Sequence, residues 1–340
     1  GCRSMVISNG GRMVKELEKD KGEHYKLGIG KKNLFIIFTL FKLINFIKKN
    51  KIDIIHARSR LPAWVCYFAL KLTKKNIRPI FITTVHGPYS VNFYSRIMTK
   101  GDRVIVVSKM IMEYVLKNYK IDKQKIVLNY RGVSKKYFPY NFKATEKWLK
   151  IWQKDFPQTK NKIILTLPAR ITSWKGQDDF IILLKKITEK NPNVHGLIVG
   201  EEKNKARFIN KLKSQTTILG LANNLTFVGH RSDIREIMSI SKIVFSLSRE
   251  PEAFGRISLE SLSMGIPVIA YSHGGVKEQM LEILPEGLIA VGNINLVASL
   301  TNKWIKKGPE IKKIHNFTLK NMLEKTVLVY KQAIKDKCQK

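Results

Sequence analysis

The stretch that decides the fold reads EPEAFGRISLE, residues 250–260, and it lies between a short apolar run and a helix-length segment. Gly255 marks a turn at which the backbone can approach a ligand closely. The first amide groups of the following helix are unpaired and carry the positive end of the helix dipole, so they form a seat for a phosphate. Glu252 and Glu260 flank this seat, and their carboxylates can accept hydrogen bonds from hydroxyl groups. The stretch therefore favours a ligand with hydroxyl groups at both ends and phosphates between them.

Outward from this stretch, short β-branched runs alternate with helix-length segments along the chain. The candidate strands cover residues 5–8, 53–57, 80–85, 103–107 and 125–128 in a first series, and 163–168, 194–199, 225–228, 243–247, 267–270 and 288–291 in a second. Continuous apolar strands separated by helices indicate parallel sheets that are covered on both faces. Two such series predict two doubly wound α/β domains in tandem.

The boundary between these domains is predicted near residues 139–161, where prolines and asparagines interrupt the pattern. We therefore expect an N-terminal domain over residues 1–150 and a C-terminal domain over residues 151–315. The remaining segment, residues 316–340, predicts one helix with an apolar face that packs back across the domains.

The composition is strongly basic, with a net charge of +36, and residues 1–150 hold 32 lysines and arginines against 9 acidic residues. Such an excess favours a polyanionic partner, either nucleic acid or an anionic membrane surface. A compositional habit of the source is an equal alternative. The three cysteines show no CxxC pair and no metal-ligand spacing, which is typical of a reducing cytosol.

One predicted helix, over residues 33–49, is apolar around most of its circumference. It is too short and too interrupted by Lys42 and Asn45 to span a bilayer. Two interpretations stay open: a helix buried in the domain core, or a helix that lies on a membrane surface. Lysines at both ends favour docking on an anionic surface, and these are Lys31, Lys32, Lys48, Lys49 and Lys51.

Further motifs occur in a fixed order: TTVHG (83–87), VVS (106–108), RGV (131–133), RITSWKG (170–176), FVGH (227–230), the decisive stretch, SMGIPVIA (263–270) and HGG (273–275). This ordered set resembles the family 4 retaining glycosyltransferases over nearly the whole chain. The resemblance implies the GT-B architecture, an α/β fold in which two Rossmann-like domains with parallel sheets face a central cleft. It also implies a nucleotide-diphosphate sugar, UDP- or GDP-linked, as donor substrate, and no cofactor.

The resemblance implies roles for individual residues. Arg170 and Lys175 neutralise the departing diphosphate, Glu252 orients the donor sugar, Glu260 binds the ribose and His86 lies near the anomeric carbon. The wider donor-binding set comprises Arg170, Lys175, Gly229, His230, Glu252, Ala253, Phe254, Gly255, Arg256, Ile257 and Glu260. No Asp-x-Asp pair stands out, so we expect cationic side chains and the helix terminus to act without a metal. A structural role stays open for His86, as does a plain loop position for His230.

On the acceptor side, the sequence nominates residues at the ends of the first series of strands. They are His56, Arg58, Arg60, Gly87 and Ser108. The two arginines and His56 can receive an anionic acceptor, but a solvent-exposed role is equally consistent with the sequence.

By comparison with the family that it resembles, we expect the given sequence to begin just before the second strand. We therefore expect the N-terminal domain to lack the family's first strand, which is central in a Rossmann sheet. Its absence leaves buried backbone groups without partners, at a cost of about 1–3 kcal/mol each. This expectation leaves two alternatives: a few tens of residues upstream of the given sequence supply the strand, or the protein is a pseudoenzyme that binds sugar nucleotide or membrane without turnover.

The sequence thus predicts a hexosyltransferase that acts on a lipid-linked or lipopolysaccharide-core acceptor. We expect a monomer in the cytoplasm, peripheral on the inner membrane, with no nucleic-acid partner. Charge alone supports a nucleic-acid-binding protein, and no binding module accompanies that charge. A sugar-nucleotide epimerase of similar architecture is a weaker competitor, because the two glutamates fit transferases better.

Overall fold

The computed structural model describes residues 3–30, 36–201, 206–313 and 315–339. The chain divides into two compact units. The N-terminal unit comprises Gly1–Asn129 and Glu324–Lys340, and the C-terminal unit comprises Tyr130–Leu323. Both units are built from parallel β-strands and α-helices, as the alternating pattern predicts.

The strands of the N-terminal unit form two parallel sheets. They are β1 (Met5–Ser8), β2 (Glu23–Lys26), β3 (Ile54–Ala57), β4 (Ile80–Val85), β5 (Arg103–Val106) and β6 (Ile126–Leu128). Strands β1 and β2 pair with each other, and β3 to β6 pair in chain order in a four-stranded sheet. Among the described residues, no hydrogen-bonded ladder joins the two sheets. The pattern did not predict β2, because this strand has no apolar run and three of its four residues are exposed.

Among the described residues, the helices that accompany these sheets are α1 (Val14–Lys19), α2 (Ile36–Lys49), α3 (Arg60–Leu72) and α4 (Lys109–Asn118). Helix α2 is the helix predicted over residues 33–49, and residues 31–35 lie outside the described ranges. Its second half is packed inside the unit through Leu43, Ile44, Phe46 and Ile47, whereas Ile37, Phe38 and Phe41 are exposed. The helix therefore has one face in the core and another exposed, and its docking on a membrane surface stays a prediction.

The C-terminal unit contains one six-stranded parallel sheet. Its strands are β7 (Ile163–Pro168), β8 (Val194–Val199), β9 (Leu225–Gly229), β10 (Ser241–Ser246), β11 (Val268–Tyr271) and β12 (Leu288–Ile289), in the order β12-β11-β10-β7-β8-β9. The chain thus adds β8 and β9 on one side of β7, and β10 to β12 on the other. The order reverses between β7 and β10, which is where open α/β sheets bind ligands, at the carboxyl ends of the strands.

Helices cover this sheet and bury its apolar strands. They are α5 (Glu146–Asp155), α6 (Gln177–Thr188), α7 (Ala206–Ile218), α8 (Ile234–Ser239), α9 (Arg256–Ser263), α10 (Gly274–Ile283) and α11 (Ile294–Lys306). Phe180 of α6 and Phe245 of β10 pack with ring centroids 5.3 Å apart in the main core cluster. The second series of predicted strands is confirmed, with small shifts at the ends.

The last helix, α12 (Leu319–Cys338), lies within the segment 316–340 that the sequence predicts as one helix. Its residues from Glu324 onward belong to the N-terminal unit. There Val329 and Ala333 pack on Ile80, Ile82 and Ile105 of β4 and β5. Within the described ranges, no helix combines the length and the apolar character that crossing a bilayer requires.

Candidate active site

Two loops of the C-terminal unit meet at the point where the strand order reverses. One follows β7 over residues 169–176, and the other follows β10 over residues 247–255. The backbone N–H of Arg249 donates to the carbonyl of Trp174 at 2.7 Å. A Cβ atom on Gly176 would lie 2.0 Å from the carbonyl oxygen of Leu247, so only glycine allows this approach. The loops therefore form one contiguous site.

An ion pair links the two loops. The Nζ atom of Lys175 lies 2.7 Å from Oε1 of Glu252, and the hydroxyl of Ser248 donates to the same oxygen. The ammonium of Lys175 also lies 4.2 Å from the centre of the Trp174 ring, a cation–π contact. The structure thus brings together two of the predicted catalytic residues, from positions 77 residues apart in the chain.

Arg170, the other predicted diphosphate ligand, lies at the start of the first loop and is exposed. Its carbonyl accepts a hydrogen bond from the amide of the buried Gln177 at 3.0 Å. The backbone of Arg170 is therefore fixed, while its guanidinium is accessible from solvent.

The glycine pair after β11 holds the turn that carries Glu252. The N–H of Gly275 donates to the carbonyl of Glu252 at 2.8 Å. A Cβ atom on Gly275 would lie 2.4 Å from the carbonyl oxygen of Ala253, and Gly274 has a φ of +62°. The HGG motif thus has a structural reason: only glycines let α10 begin against this turn.

Gln279 of α10 secures the other end of the turn. Its buried amide donates to the carbonyl oxygens of Phe254 and Gly255. The side chain of Phe254 is buried beside Tyr130 and Phe317, so it belongs to the core and only its backbone faces the turn. Sequence reasoning missed Gln279, since a single glutamine in a helix carries no recognisable motif.

Helix α9 starts directly after the turn, at Arg256. Gly255, at its N-cap, has a φ of +83° and carries no side chain that could cap the first amides. The exposed Arg256 donates to the buried carboxylate of Glu260 at 2.8 Å, one helical turn away. Burial raises the pKa of Glu260, and the positive charge of Arg256 opposes that rise. The predicted phosphate seat and ribose ligand therefore lie on one short helix.

The sequence did not predict a second buried carboxylate, which holds the loop that follows β10. Asp179 of α6 accepts two hydrogen bonds from the guanidinium of Arg249 and one from the hydroxyl of Tyr271, the latter at 2.8 Å. Burial, and the carboxylate of Asp179, raise the pKa of Tyr271. Seventy residues separate Asp179 from Arg249, and no local pattern could have paired them.

The other predicted donor residues lie farther along the sheet or on the same turn. Gly229 ends the edge strand β9, two strands from β7, and His230 follows it in an exposed position. Ala253 and Ile257 flank Phe254 and Arg256 and are half-buried. Within the described ranges, no group of three or more His, Cys, Asp or Glu residues is arranged to hold a metal ion.

The predicted His86 of the N-terminal unit follows β4 and is half-buried. Its backbone N–H donates to the hydroxyl of Tyr89 at 3.4 Å. Gly87 has open space where a Cβ atom would lie. A role for His86 at the anomeric carbon stays a prediction.

The nominated acceptor residues have several partners inside the N-terminal unit. Both ring nitrogens of His56 are hydrogen-bonded, to the hydroxyl groups of Tyr330 and Thr84, each at 2.6 Å. Ser108 is buried and caps α4 by accepting from the N–H of Ile111 at 3.2 Å. These contacts give both residues a structural role, and contact with an acceptor stays a prediction.

The two nominated arginines differ. Arg58 is exposed. Arg60 donates to the hydroxyl of Ser95 at 3.0 Å and lies over the rings of Tyr89 and Tyr94. Arg58 is therefore the more accessible cation of the pair.

Comparison with known proteins identifies the family. The family described as Glycosyl transferases group 1 matches residues 149–321, and the one described as Glycosyltransferase Family 4 matches residues 1–137. A solved glycosyltransferase from Rickettsia africae ESF-5 is 33% identical, with a TM-score of 0.82 over 97% of this chain and 90% of that one. Anabaena Alr3699/HepE, solved in complex with UDP-glucose, shares the fold at 20% identity, with a TM-score of 0.74 over 99% and 92% of the two chains.

Among curated relatives, spore coat protein SA of Bacillus subtilis (strain 168) is 24% identical over 249 residues, which cover 69% of this chain. The chain spans 61% to 64% of the length of this and two further curated relatives. From the family match and the 33% identical structure, the chain belongs to the glycosyl transferases group 1 family and has the GT-B fold.

Proposed function

We propose that the protein transfers a hexose, with retention of anomeric configuration, from a nucleoside diphosphate sugar to a lipid-linked or lipopolysaccharide-core acceptor. One observation carries the donor half of this proposal. Glu252, the uncapped start of α9 and the buried Glu260 lie along one continuous turn and helix, and Lys175 reaches Glu252 from the neighbouring loop. A carboxylate for the sugar, a seat for the phosphates and a carboxylate for the ribose thus follow one another in the order of the groups in a nucleotide sugar.

In this proposal the leaving diphosphate binds at the start of α9. Negative charge grows on its oxygen as the glycosidic bond breaks, and the amides of α9 together with Lys175 and Arg170 stabilise that charge. These cations supply the neutralisation, so we propose a reaction that needs no metal ion. The acceptor hydroxyl attacks from the face that the leaving group occupies, and a phosphate oxygen takes its proton.

The two glutamates position the ends of the donor. Glu260 accepts hydrogen bonds from the ribose hydroxyl groups, for which Arg256 must turn away from the carboxylate it now contacts. Glu252 and the backbone of Phe254 and Gly255 orient the sugar. His86 steers donor and acceptor. The UDP-glucose complex of Anabaena HepE makes UDP sugars the first donors to test, before GDP sugars.

The acceptor half rests on the basic, partly apolar N-terminal unit. Such a surface suits an acceptor that is anchored in an anionic membrane, so we place the enzyme in the cytoplasm, peripheral on the inner membrane, as a monomer without a nucleic-acid partner.

Thermal stabilisation by UDP, GDP and their sugars tests donor binding. At 100 times Kd, a ligand stabilises the native state by about 2.7 kcal/mol, which shifts Tm by several degrees. We expect one nucleotide series to raise Tm and Lys175→Ala to abolish the shift. Lys186→Ala, which removes an exposed lysine of α6, serves as the matched control. The absence of any shift with all donors contradicts the proposal.

A second candidate is a protein that binds sugar nucleotide without turnover. The observation in its favour is the division of the N-terminal strands between two sheets. Measuring donor hydrolysis and sugar transfer alongside binding distinguishes the two candidate functions. A Tm shift without either reaction supports the protein that binds sugar nucleotide without turnover.

A further inference from the structure

The basic charge of the N-terminal unit is concentrated in one segment. Residues 24–101 contain 15 lysines and arginines and a single acidic residue, Asp53. This segment includes α2, α3 and the loop after β4. A surface with so little acidic compensation generates a positive potential that attracts polyanions.

Helix α3 carries an apolar stripe on its outer face. Trp64, Phe68 and Leu72 recur every four residues, opposite the buried Ala63, Cys66 and Leu70. Phe68 is 50% exposed and Leu72 is 61% exposed, and Phe93 of the neighbouring loop reaches 69%. Large apolar side chains grouped at such exposure mark a surface that contacts something outside the chain.

The aromatic side chains of this surface form one ordered cluster. The indole of Trp64 stacks on Phe68 and on Phe93, with ring centroids 5.4 Å and 5.2 Å apart, and its N–H donates to the carbonyl of Tyr94 at 2.9 Å. We call Trp64, Phe68, Leu72 and Phe93 the aromatic shelf. Because its rings hold one another in place, little side-chain freedom is lost when a partner covers them.

Cations surround the aromatic shelf. Arg96 lies over the ring of Phe93 at 5.5 Å, and Lys71 lies over the neighbouring Tyr67 at 5.6 Å. Lys74 and Lys75 follow α3 and are exposed. Apolar rings encircled by cations match the interfacial region of a bilayer, where aromatic residues lie at headgroup level and basic residues contact anionic lipids.

We propose that the aromatic shelf docks the protein on an anionic lipid bilayer. The proposal rests on the proposed function only in linking the bilayer to a lipid-anchored acceptor. The docking surface itself is inferred from the charges and the exposure of its residues. A nucleic acid also attracts cations and stacks on rings. The aliphatic surface argues for lipid instead: Leu72 and Val91, and Ile37 on α2, are exposed and offer nothing to phosphates or bases.

Sedimentation with vesicles tests the docking surface. We expect the full chain to bind vesicles of phosphatidylcholine mixed with phosphatidylglycerol, and to bind pure phosphatidylcholine far more weakly. Replacing Lys71, Lys74 and Lys75 with glutamine should weaken partitioning roughly 100-fold. The control replaces Lys303, Lys306 and Lys307, exposed lysines of the C-terminal unit, and should have little effect.

The apolar contribution has its own variant. Phe68→Ser combined with Phe93→Ser should weaken partitioning roughly tenfold, because less apolar area enters the interface. Ile218→Ser combined with Leu281→Ser removes exposed apolar side chains from the C-terminal unit and is the matched control. Tm measured for every variant separates loss of docking from loss of folding.

Fluorescence reports on the shelf directly. Trp64 is the one tryptophan of residues 1–129; the other four follow residue 147. Vesicles with brominated acyl chains should quench part of the tryptophan emission, and Trp64→Phe should remove the quenchable part. Quenching that persists in this variant would show that another surface meets the membrane.

Other outcomes overturn the proposal. The shelf is not a membrane surface if its variants bind vesicles as tightly as the unsubstituted chain. Loss of single-stranded DNA binding in these variants would then indicate a nucleic-acid surface, and a raised KM for a soluble sugar acceptor would indicate an acceptor surface. A protein that docks through the shelf but transfers no sugar contradicts the proposed function alone. One that transfers sugar to a soluble acceptor but ignores anionic vesicles contradicts the docking surface alone.

Discussion

The turn before α9 and the aromatic shelf depart from the usual distribution of side chains in opposite ways. Around the turn, polar groups are buried: Asp179, Glu260 and Gln279 are almost fully removed from solvent. On the shelf, large apolar groups are exposed. Each buried polar group costs free energy unless a partner satisfies it, and each exposed aromatic ring forgoes the free energy of burial. Both departures therefore point to contacts that serve function.

The two regions differ in how much change they tolerate. The turn depends on backbone contacts that leave no space for an added atom, so a single methyl group should disturb it. The shelf faces solvent, so its side chains can change without disturbing the fold. Substitutions in the turn should therefore have larger effects than substitutions on the shelf.

Gly275→Ala should lower kcat/KM of sugar transfer by at least roughly 100-fold, because the new Cβ atom would lie 2.4 Å from the carbonyl oxygen of Ala253 and 2.6 Å from Cα of Phe254. Both neighbours are backbone atoms, so the turn itself must move. Steady-state kinetics measure the effect. Gly308→Ala, at a position with no heavy atom within 4 Å, is the control and should keep full activity. If kcat/KM of Gly275→Ala stays within threefold of that of the parent, the turn tolerates the added methyl group and the steric explanation is wrong.

A double-mutant cycle of Asp179→Ala and Arg249→Ala should give a coupling free energy of about 1–3 kcal/mol in unfolding experiments, since the pair combines charge with two hydrogen bonds. Arg249 is partly exposed, which keeps the value below that of a fully buried pair. Asp178→Ala, which removes a pair with the exposed Lys211, should cost less than about 1 kcal/mol. Equal effects at the two aspartates would mean that Asp179 does not support the site.

Glu260→Gln should raise the stability of the ligand-free protein near pH 7, because it removes a buried charge, and should weaken nucleotide binding. Burial raises the pKa of Glu260 above its ordinary value of 4.5. The carboxyl therefore contributes most to stability below pH 4.5, and this contribution is lost as pH rises through the raised pKa. The Tm advantage of Glu260→Gln should grow between pH 4 and pH 7. A Tm advantage that shrinks as pH rises would mean that the pKa of Glu260 is lowered, not raised.

Leu72→Gln on the shelf should change the free energy of unfolding by less than about 0.5 kcal/mol, because this side chain already faces water. Leu70→Gln, two residues earlier and 5% exposed, should cost roughly 3 kcal/mol, since it places an amide in the core. Urea unfolding of both variants measures the contrast. Comparable losses at the two positions would show that the shelf is part of the core.

Much of the fold and part of the site follow from the sequence. Alternating apolar runs located both series of strands, because a strand buried on both faces must be continuously apolar. Gly255 and the glutamates of residues 250–260 located the turn and α9. Strand β2 escaped prediction, since an exposed edge strand needs no apolar side chains.

Contacts between segments that are distant in the sequence are determined only by the tertiary structure. Asp179 and Arg249 meet only because β7 and β10 are neighbours in the sheet, and His56 meets Tyr330 only because α12 packs beside β3. Periodicity encodes how each segment folds locally, but not which distant segment it contacts. Helix α3 shows the same limit, because it is apolar on all sides and its sequence does not say which face is core. Packing against the sheet buried Cys66 and left Phe68 exposed, and that choice created the aromatic shelf.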